Sequence, residues 1–190
     1  MKVFDSGMPE EAYWNSLFDI PLILTRLGIT AGAAPVVEIG CGYGTFTLPV
    51  ARAVGGEVHA FDIERGMIER ASGNARISGL ANVTFHERDV LASGTGLPAG
   101  SVRPVLLFNI LHSRSNPAFL AEAGRILVDG GSVCIIHWRK DIVTPRGPRW
   151  EDRPDRSSII EDAAGLGLQP EGEPCILEPY HWGTRLRKGG

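Results

Sequence analysis

A chain of 190 residues that is 43% hydrophobic can bury one sizeable core and is short for two independent ones. Nineteen Lys and Arg stand against 22 Asp and Glu, a formal net charge of −3, so no broad basic surface for nonspecific nucleic-acid binding is implied. Three cysteines, Cys41, Cys134 and Cys175, are too few and too scattered for a disulfide framework or a zinc-ligand set, and no apolar run has the length of a bilayer crossing.

The N-terminal segment carries acids at Asp5, Glu10 and Glu11 and lacks the basic start and apolar core of an export signal, which predicts a cytoplasmic protein. Pro9-Glu10-Glu11 suits the first turn of a helix, where a missing N–H costs nothing and acids favour the dipole. Tyr13, Trp14, Leu17 and Phe18 then recur at helical spacing. A short second helix over 21–27 and a third segment ending near Gly32 complete a predicted helical cap over residues 1–32.

Residues 36–44, Val-Val-Glu-Ile-Gly-Cys-Gly-Tyr-Gly, form the most informative stretch: a β-branched run ends in an acid, and three alternate glycines precede a helical pattern over 45–54. Such a turn lets a ligand approach the backbone and lets the first free N–H groups of the helix point into one cleft. Glu38 places a negative charge beside that turn, which disfavours a pyrophosphate and favours a cationic amino group. A second strand is predicted over 57–62 and ends in Asp62, where a doubly wound sheet places an acid to accept from a ribose diol. Dinucleotide enzymes use an acid there too, but their fingerprint wants Gly or Ala where this chain has Thr45. No Gly-Lys-Ser or Gly-Lys-Thr follows, which removes the nucleotide-triphosphatase explanation.

The alternation continues with a helix over 64–78, in which Met67, Ala71 and Ala75 step by four, and a strand over 83–87. Residues 91–100 are glycine- and proline-rich and predict a loop with at most one helical turn. A strand over 105–108 should begin at or just after Pro104, because a central strand needs the N–H that proline lacks. A helix over 117–127 is ended by Asp129-Gly130-Gly131 and followed by a strand over 132–137, a helix containing 159–164 and a terminal strand from Cys175. The count is six strands, or seven if residues 182–186 form one more.

This acid-x-Gly-x-Gly-x-Gly motif, with Asp62 and Asp89 at their separations, resembles the class I S-adenosylmethionine-dependent methyltransferases across nearly the whole chain. The resemblance implies an α/β, doubly wound, mostly parallel Rossmann-like sheet of six or seven strands with helices on both faces, the last strand antiparallel in the seven-stranded form. It implies that Glu38, Gly40, Cys41, Gly42 and Gly44 surround the amino-acid part of S-adenosyl-L-methionine. Asp62 would hold the ribose hydroxyls, Ile63 would flank the adenine, Asp89 would sit near its amino group, and Asn109 would open a fourth motif at the mouth of the site. His137-Trp138-Arg139-Lys140, followed by Gly147-Pro148, resembles more weakly the small-molecule branch related to the ubiquinone and menaquinone C-methyltransferases.

Acceptor chemistry must come from elsewhere. Tyr13 and Trp14 either close over the methyl group or merely pack. His112 lies past the fourth strand and His137 ends the fifth, where parallel sheets place active-site loops, so both are candidate catalytic groups; His112 either removes a proton or anchors its loop. Residues 139–157 contain Pro145, Pro148 and Pro154 and cannot form one helix, so they read as an active-site flap or a solvated connector, with Arg146, Arg149, Arg153 and Arg156 available for an acceptor carboxylate or phosphate. The sequence thus points to methyl transfer to a small molecule, with no metal, nucleic acid or membrane partner. A nicotinamide dinucleotide oxidoreductase, a non-catalytic cofactor-binding partner subunit and a homodimer through the cap or edge strand stay open.

Overall fold

The computed structural model describes residues 8–112 and 116–190; residues 1–7 of the predicted cap lie outside the described residues. The cap consists of two short helices, α1 (Glu11–Asn15) and α2 (Ile20–Arg26). Each starts on an acid whose carboxylate accepts backbone N–H groups: Glu10 takes those of Ala12 and Tyr13 at 3.0 and 3.2 Å, and Asp19 takes that of Leu22 at 3.0 Å.

The sheet is then built by alternation. In order come β1 (Val36–Ile39), α3 (Thr47–Val54), β2 (Val58–Asp62), α4 (Arg65–Ile77), β3 (Val83–Glu87), the single-turn α5 (Val90–Ser93), β4 (Val102–Phe108), α6 (Asn116–Ile126) and β5 (Leu127–Trp138). A 3₁₀ turn, Trp150–Asp152, precedes α7 (Arg156–Ala164), and the chain ends in β6 (Leu168–Pro170), β7 (Cys175–Leu177) and β8 (His181–Lys188). Strand order is β3-β2-β1-β4-β5-β8-β6, with β7 also on β8. β1 to β5 are mutually parallel, and β8 runs antiparallel to β5 with Ile136 opposite Gly183 and Trp138 opposite His181.

The two short strands explain the open strand count. Leu168–Pro170 pairs with one half of β8 and Cys175–Leu177 with the other, so together they make one interrupted edge position. The seven positions across the sheet follow from eight strands. The β8 antiparallel strand lies where residues 182–186 predict it, whereas β6, three residues long and ending in proline, carries no alternation to reveal it.

Pro104 departs from expectation. It is the third residue of β4 rather than its start, and the register between β4 and β5 shifts there, from Val102 opposite Leu127 to Pro104 opposite Ser132. β1 meets β4 only from Val105 onward, and Arg103 donates its N–H to the Pro35 carbonyl at 3.0 Å, so no ladder bond is asked of the proline nitrogen. The extra residues on β5 are 128–131. Here Gly131 is packed so closely that a Cβ would lie 2.7 Å from the Arg103 carbonyl oxygen.

Alternation along the buried strands divides the core between two faces. Val105, Leu107, Val133 and Ile135 face α5, α6 and α7, where Leu120, Ala123, Ile126, Ile159 and Ala163 meet them. Leu106, Phe108, Cys134, Ile136 and Trp138 face α2 and α3, where Ile23, Val50, Ala51 and Val54 meet them. Burial of β1, β4 and β5 on both faces leaves the C-terminal ends of the parallel strands as the place for a ligand.

Because backbone blocks that contact, Gly131→Ala should destabilise the fold by about 1–3 kcal/mol. Urea unfolding checks this; an unchanged midpoint would show that the β4–β5 irregularity yields without cost.

Candidate functional site

A cavity of about 460 Å³ opens at the C-terminal ends of β1 to β5. Strand order reverses at β1: β2 and β3 lie to one side, β4 and β5 to the other, which makes this the topological switch point of the sheet. The wall has two halves accordingly. Gly40, Cys41, Gly42, Asp62, Ile63 and Asp89 belong to the β1–β3 half, and Phe108, Asn109, Ile110, His112 and Trp138 to the β4–β5 half.

The glycine turn is held from below and from the side. Glu38 is 1% exposed, and its Oε2 accepts the Thr47 hydroxyl at 2.5 Å, while Oε1 is buried with no hydrogen bond among the described residues. Burial pushes this carboxyl up to about 8; the Thr47 hydroxyl offsets part of that, and the negative charge of Asp62 adds to it. Asp62 accepts the Gly42 N–H at 2.8 Å and the Glu64 N–H at 2.9 Å, one on each oxygen. Burial raises its pKa against those two bonds. Each oxygen keeps lone-pair capacity for a ligand hydroxyl.

The glycines divide by role. Gly40 and Gly42 line the cavity at φ of 82° and 51°, and a Cβ on Gly40 would lie 2.5 Å from Ile110 Cγ2. Gly44, at φ 83°, lies outside the cavity wall, against Leu48 and Ala71, so its freedom serves packing between α3 and α4. Cys41 is buried in the wall, and burial raises its thiol pKa, chemistry opposite to that of a nucleophile. α3 starts two residues later than the sequence pattern, because Thr45 is drawn to the cap: its hydroxyl donates to Asn15 Oδ1 at 2.7 Å.

Asn109 stands out chemically. It ends β4 in the left-handed conformation, φ 57°, and both polar atoms of its side chain are buried without a hydrogen bond among the described residues. An unmet buried amide costs about 1–3 kcal/mol per group, and this one borders the cavity. Asp89 caps α5 by accepting the Ala92 N–H at 3.0 Å and also borders the cavity, as does Ile63, 40% exposed at the rim.

The β4–β5 half is aromatic. Phe46 and Phe108 meet edge to face at 4.9 Å, Trp14 and Trp138 lie 6.2 Å apart, and Phe18 joins the two pairs from behind. Trp14, Met8 and Pro9 bring the cap over the cavity, and Arg146, Gly147, Pro148 and Asp152 bring the 139–157 segment over it. The cap is tied to the glycine turn by Tyr43 Oη donating to the Pro9 carbonyl at 2.9 Å, and to α4 by Glu11, which accepts from Arg70 at 2.6 Å and Asn74 at 2.8 Å. Tyr13 is 41% exposed and does not line the cavity.

The two candidate histidines separate. His112 lines the cavity; burial lowers its pKa, and the Asp152 carboxylate pulls it back in part. His137 is 0% exposed, outside the cavity wall, and neither ring nitrogen is hydrogen-bonded among the described residues. Burial and the neighbouring His112 push it down to about 3, and its ring stands edge-on to His112 at 5.7 Å. It backs His112 rather than facing a ligand. His181, which no sequence motif marked, is likewise buried, stacked on Phe18 at 4.5 Å and held near 3 by burial and the charge of Arg153. Sequence reading also missed Phe46, Phe108, Asp152 and the Thr47 partner of Glu38; the clues were a strand-terminal aromatic and a hydroxyl nine residues beyond the acid.

A nucleoside-sized cavity at a switch point, two carboxylates around a glycine turn and an aromatic second half define an α/β nucleoside-cofactor protein. Comparison sharpens this: residues 36–131 match the family model described as a methyltransferase domain, and the chain belongs to that family. The family's methyl donor is S-adenosylmethionine. Over 101 residues the chain is 36% identical to an aklanonic acid methyltransferase of Streptomyces sp. (strain C5), covering 52% of this chain and 45% of that protein. Over 55 residues it is 47% identical to a 23S rRNA (uracil(1939)-C(5))-methyltransferase of Xylella fastidiosa, covering 29% and 12%. The chain thus spans less than half the length of these curated relatives. A S-adenosylmethionine-dependent methyltransferase structure from Aquifex aeolicus superposes with TM-score 0.80 at 23% identity over 93% of each chain. Geranyl diphosphate C-methyltransferase from Streptomyces coelicolor gives 0.74 at 15% identity over 96% of this chain and 84% of that one. Both show the same fold.

Buried titratable groups give the fold a pH signature. His137 and His181 are neutral when folded and take up protons when unfolded, so the stability they confer is present above about 6.5 and is lost as pH falls toward 3; at pH 5 each contributes a loss of about 2 kcal/mol. Glu38 acts in the other direction, its contribution full below about 4.5 and lost as pH rises through 8. Melting curves from pH 4 to 9 should therefore peak near the middle of that span, with the alkaline fall flattened in Glu38→Gln. Identical alkaline limbs in the two proteins would contradict the assignment to Glu38.

Proposed function

We propose that this methyltransferase transfers the methyl group of S-adenosylmethionine to a small, flat acceptor whose attacking oxygen or nitrogen gives up a proton to His112. The observation that carries the reading is the position of His112, across the switch point from Asp62, on the wall of the same cavity and beside Asp152.

The β1–β3 half fits the cofactor. Asp62 accepts from the ribose diol with the lone pairs left by Gly42 and Glu64, Ile63 covers one adenine face, and Asp89 receives the adenine amino group. Gly40, Cys41 and Gly42 would present backbone to the methionine part, the Glu38 carboxyl beneath them would give up its proton as the ligand's ammonium arrives, and the unmet amide of Asn109 would take a polar atom of the ligand. Gly44 shapes the turn. Bound there, the cofactor supplies a methyl group made electrophilic by its sulfonium.

The β4–β5 half then does three things. Trp14, Phe46, Phe108 and Trp138 hold a planar acceptor by its faces, the cap and the 139–157 segment exclude water, and His112 sits where the acceptor proton must go. The acceptor atom forms its bond to the methyl carbon as the carbon–sulfur bond breaks, the neutral thioether leaves, and the proton ends on a ring nitrogen of His112. Burial keeps that imidazole neutral near pH 7 and so able to accept. Asp152 stabilises the imidazolium that forms, and His137 holds the His112 ring from behind.

A roofed cleft of about 460 Å³ favours a metabolite over a polynucleotide. The relative named for aklanonic acid supports a small acidic acceptor; the rRNA-modifying relative matches only 29% of the chain. Against an oxidoreductase, Thr45 stands where the dinucleotide fingerprint wants Gly or Ala.

Methyl transfer from tritiated S-adenosylmethionine to a panel of hydroxylated and amino-substituted aromatic acids tests the reading. His112→Ala should lower kcat about 100-fold or more while leaving S-adenosylhomocysteine affinity intact. The acid limb of kcat/KM should fall below 6.5, because burial depresses the imidazole. Turnover unaffected by the substitution would remove His112 from the chemistry, and binding without turnover on any acceptor would favour a non-catalytic cofactor-binding partner.

A further inference from the structure

Arg153 is 8% exposed, and among the described residues none of its four hydrogen-bond acceptors is charged. Its Nε donates to the Pro148 carbonyl at 3.1 Å and its Nη1 to the Arg139 carbonyl at 2.5 Å. Its Nη2 reaches the Thr144 hydroxyl at 2.6 Å and the Arg146 carbonyl at 3.4 Å. The guanidinium also lies 5.9 Å from the centre of the Trp138 ring. Burying a charge against neutral dipoles alone is costly, and a planar fork of five N–H donors is the one side chain that can gather this many carbonyls at once.

The gathered carbonyls bracket the cavity. Arg146, Gly147 and Pro148 line it, and Asp152, next to Arg153 in the chain, lines it too. Gly147 is pressed to the indole so closely that a Cβ would sit 2.8 Å from Trp138, and its φ of 114° is one that side chains rarely adopt. The stem of the segment is tied separately, by Trp150 Nε1 donating to the Lys140 carbonyl at 3.1 Å and Lys140 Nζ pairing with Asp155 at 3.0 Å.

We infer that Arg153 is a positioning residue that clamps residues 144–148 onto Trp138 and so fixes the depth and selectivity of the acceptor half of the cavity. It touches no reacting atom. It acts by setting where Arg146, Gly147 and Asp152 stand relative to the aromatic wall, and its own charge helps to keep the buried His181 and His137 neutral. This arginine is spent on architecture rather than on an acceptor anion. The inference rests on the methyl-transfer reading only for what the clamp faces; the clamp itself is testable without an acceptor.

Hydrogen exchange on the full chain, with and without S-adenosylhomocysteine, is compared for wild type, Arg153→Lys and Gly147→Ala. Both substitutions should speed exchange over 141–152 about tenfold or more while leaving 36–62 and the ligand's dissociation constant within about twofold. Lysine should not rescue, having no fork. With an acceptor from the panel above, Arg153→Lys should raise KM about tenfold at a kcat within about threefold of wild type. Unchanged exchange over 141–152, equal weakening of S-adenosylhomocysteine, or faster exchange with an unmoved acceptor KM would each overturn the inference. If no acceptor turns over, the methyl-transfer reading fails, while the exchange result still decides the clamp.

Discussion

Two carboxylates at the ends of adjacent parallel strands govern this molecule. Asp62 holds the glycine turn by accepting the Gly42 N–H, and Glu38 lies sealed beneath the same turn, where among the described residues Thr47 alone bonds it. Burial makes the ionised form of each expensive, and their charges oppose one another. A ligand with a cationic head and a hydroxylated ring would relieve both costs at once, the first by drawing the proton off Glu38 and the second by bonding Asp62. That is the preference the turn is built to express.

The rest of the sheet gives that preference a direction. Reversal of strand order at β1 opens the cleft, and the antiparallel β8 covers β5, so that Trp138 packs on His181 while His137 stays buried behind His112. Two segments from opposite ends of the chain roof the cavity: the cap through Met8, Pro9 and Trp14, the 139–157 segment through Arg146, Gly147 and Pro148. Each roof is anchored by a polar device, Glu11 to α4 on one side and Arg153 to backbone carbonyls on the other. Both anchors leave the chemistry to other residues.

The glycine turn and its place beside the cavity were readable in the sequence because their determinants are local: a β-branched run, glycines where φ is positive, and acids at strand ends. Asp62, Ile63 and Asp89 fall where spacing places them. What was hidden is non-local. Pro104 is tolerated inside β4 because its neighbour bonds Pro35 and its partner strand is irregular there, a fact of pairing rather than of proline. β6 and β7 are three residues each and owe their strand state to β8. His112 and His137 both fall near the C-terminal ends of parallel strands, yet His112 stands in the loop past β4 and lines the cavity while His137 is buried within β5. Arg153 resembles Arg146, Arg149 and Arg156 in sequence and differs only through the loop that folds around it.

If the glycine turn and Asp62 form an S-adenosylmethionine site whose affinity is set by buried carboxylates, titration calorimetry of S-adenosylhomocysteine against NAD, on wild type and Asp62→Asn, will show saturable homocysteine-ligand binding that weakens at least about tenfold in the variant, with no competition from NAD. Equal or tighter binding of NAD, or an affinity for S-adenosylhomocysteine indifferent to Asp62, would contradict it.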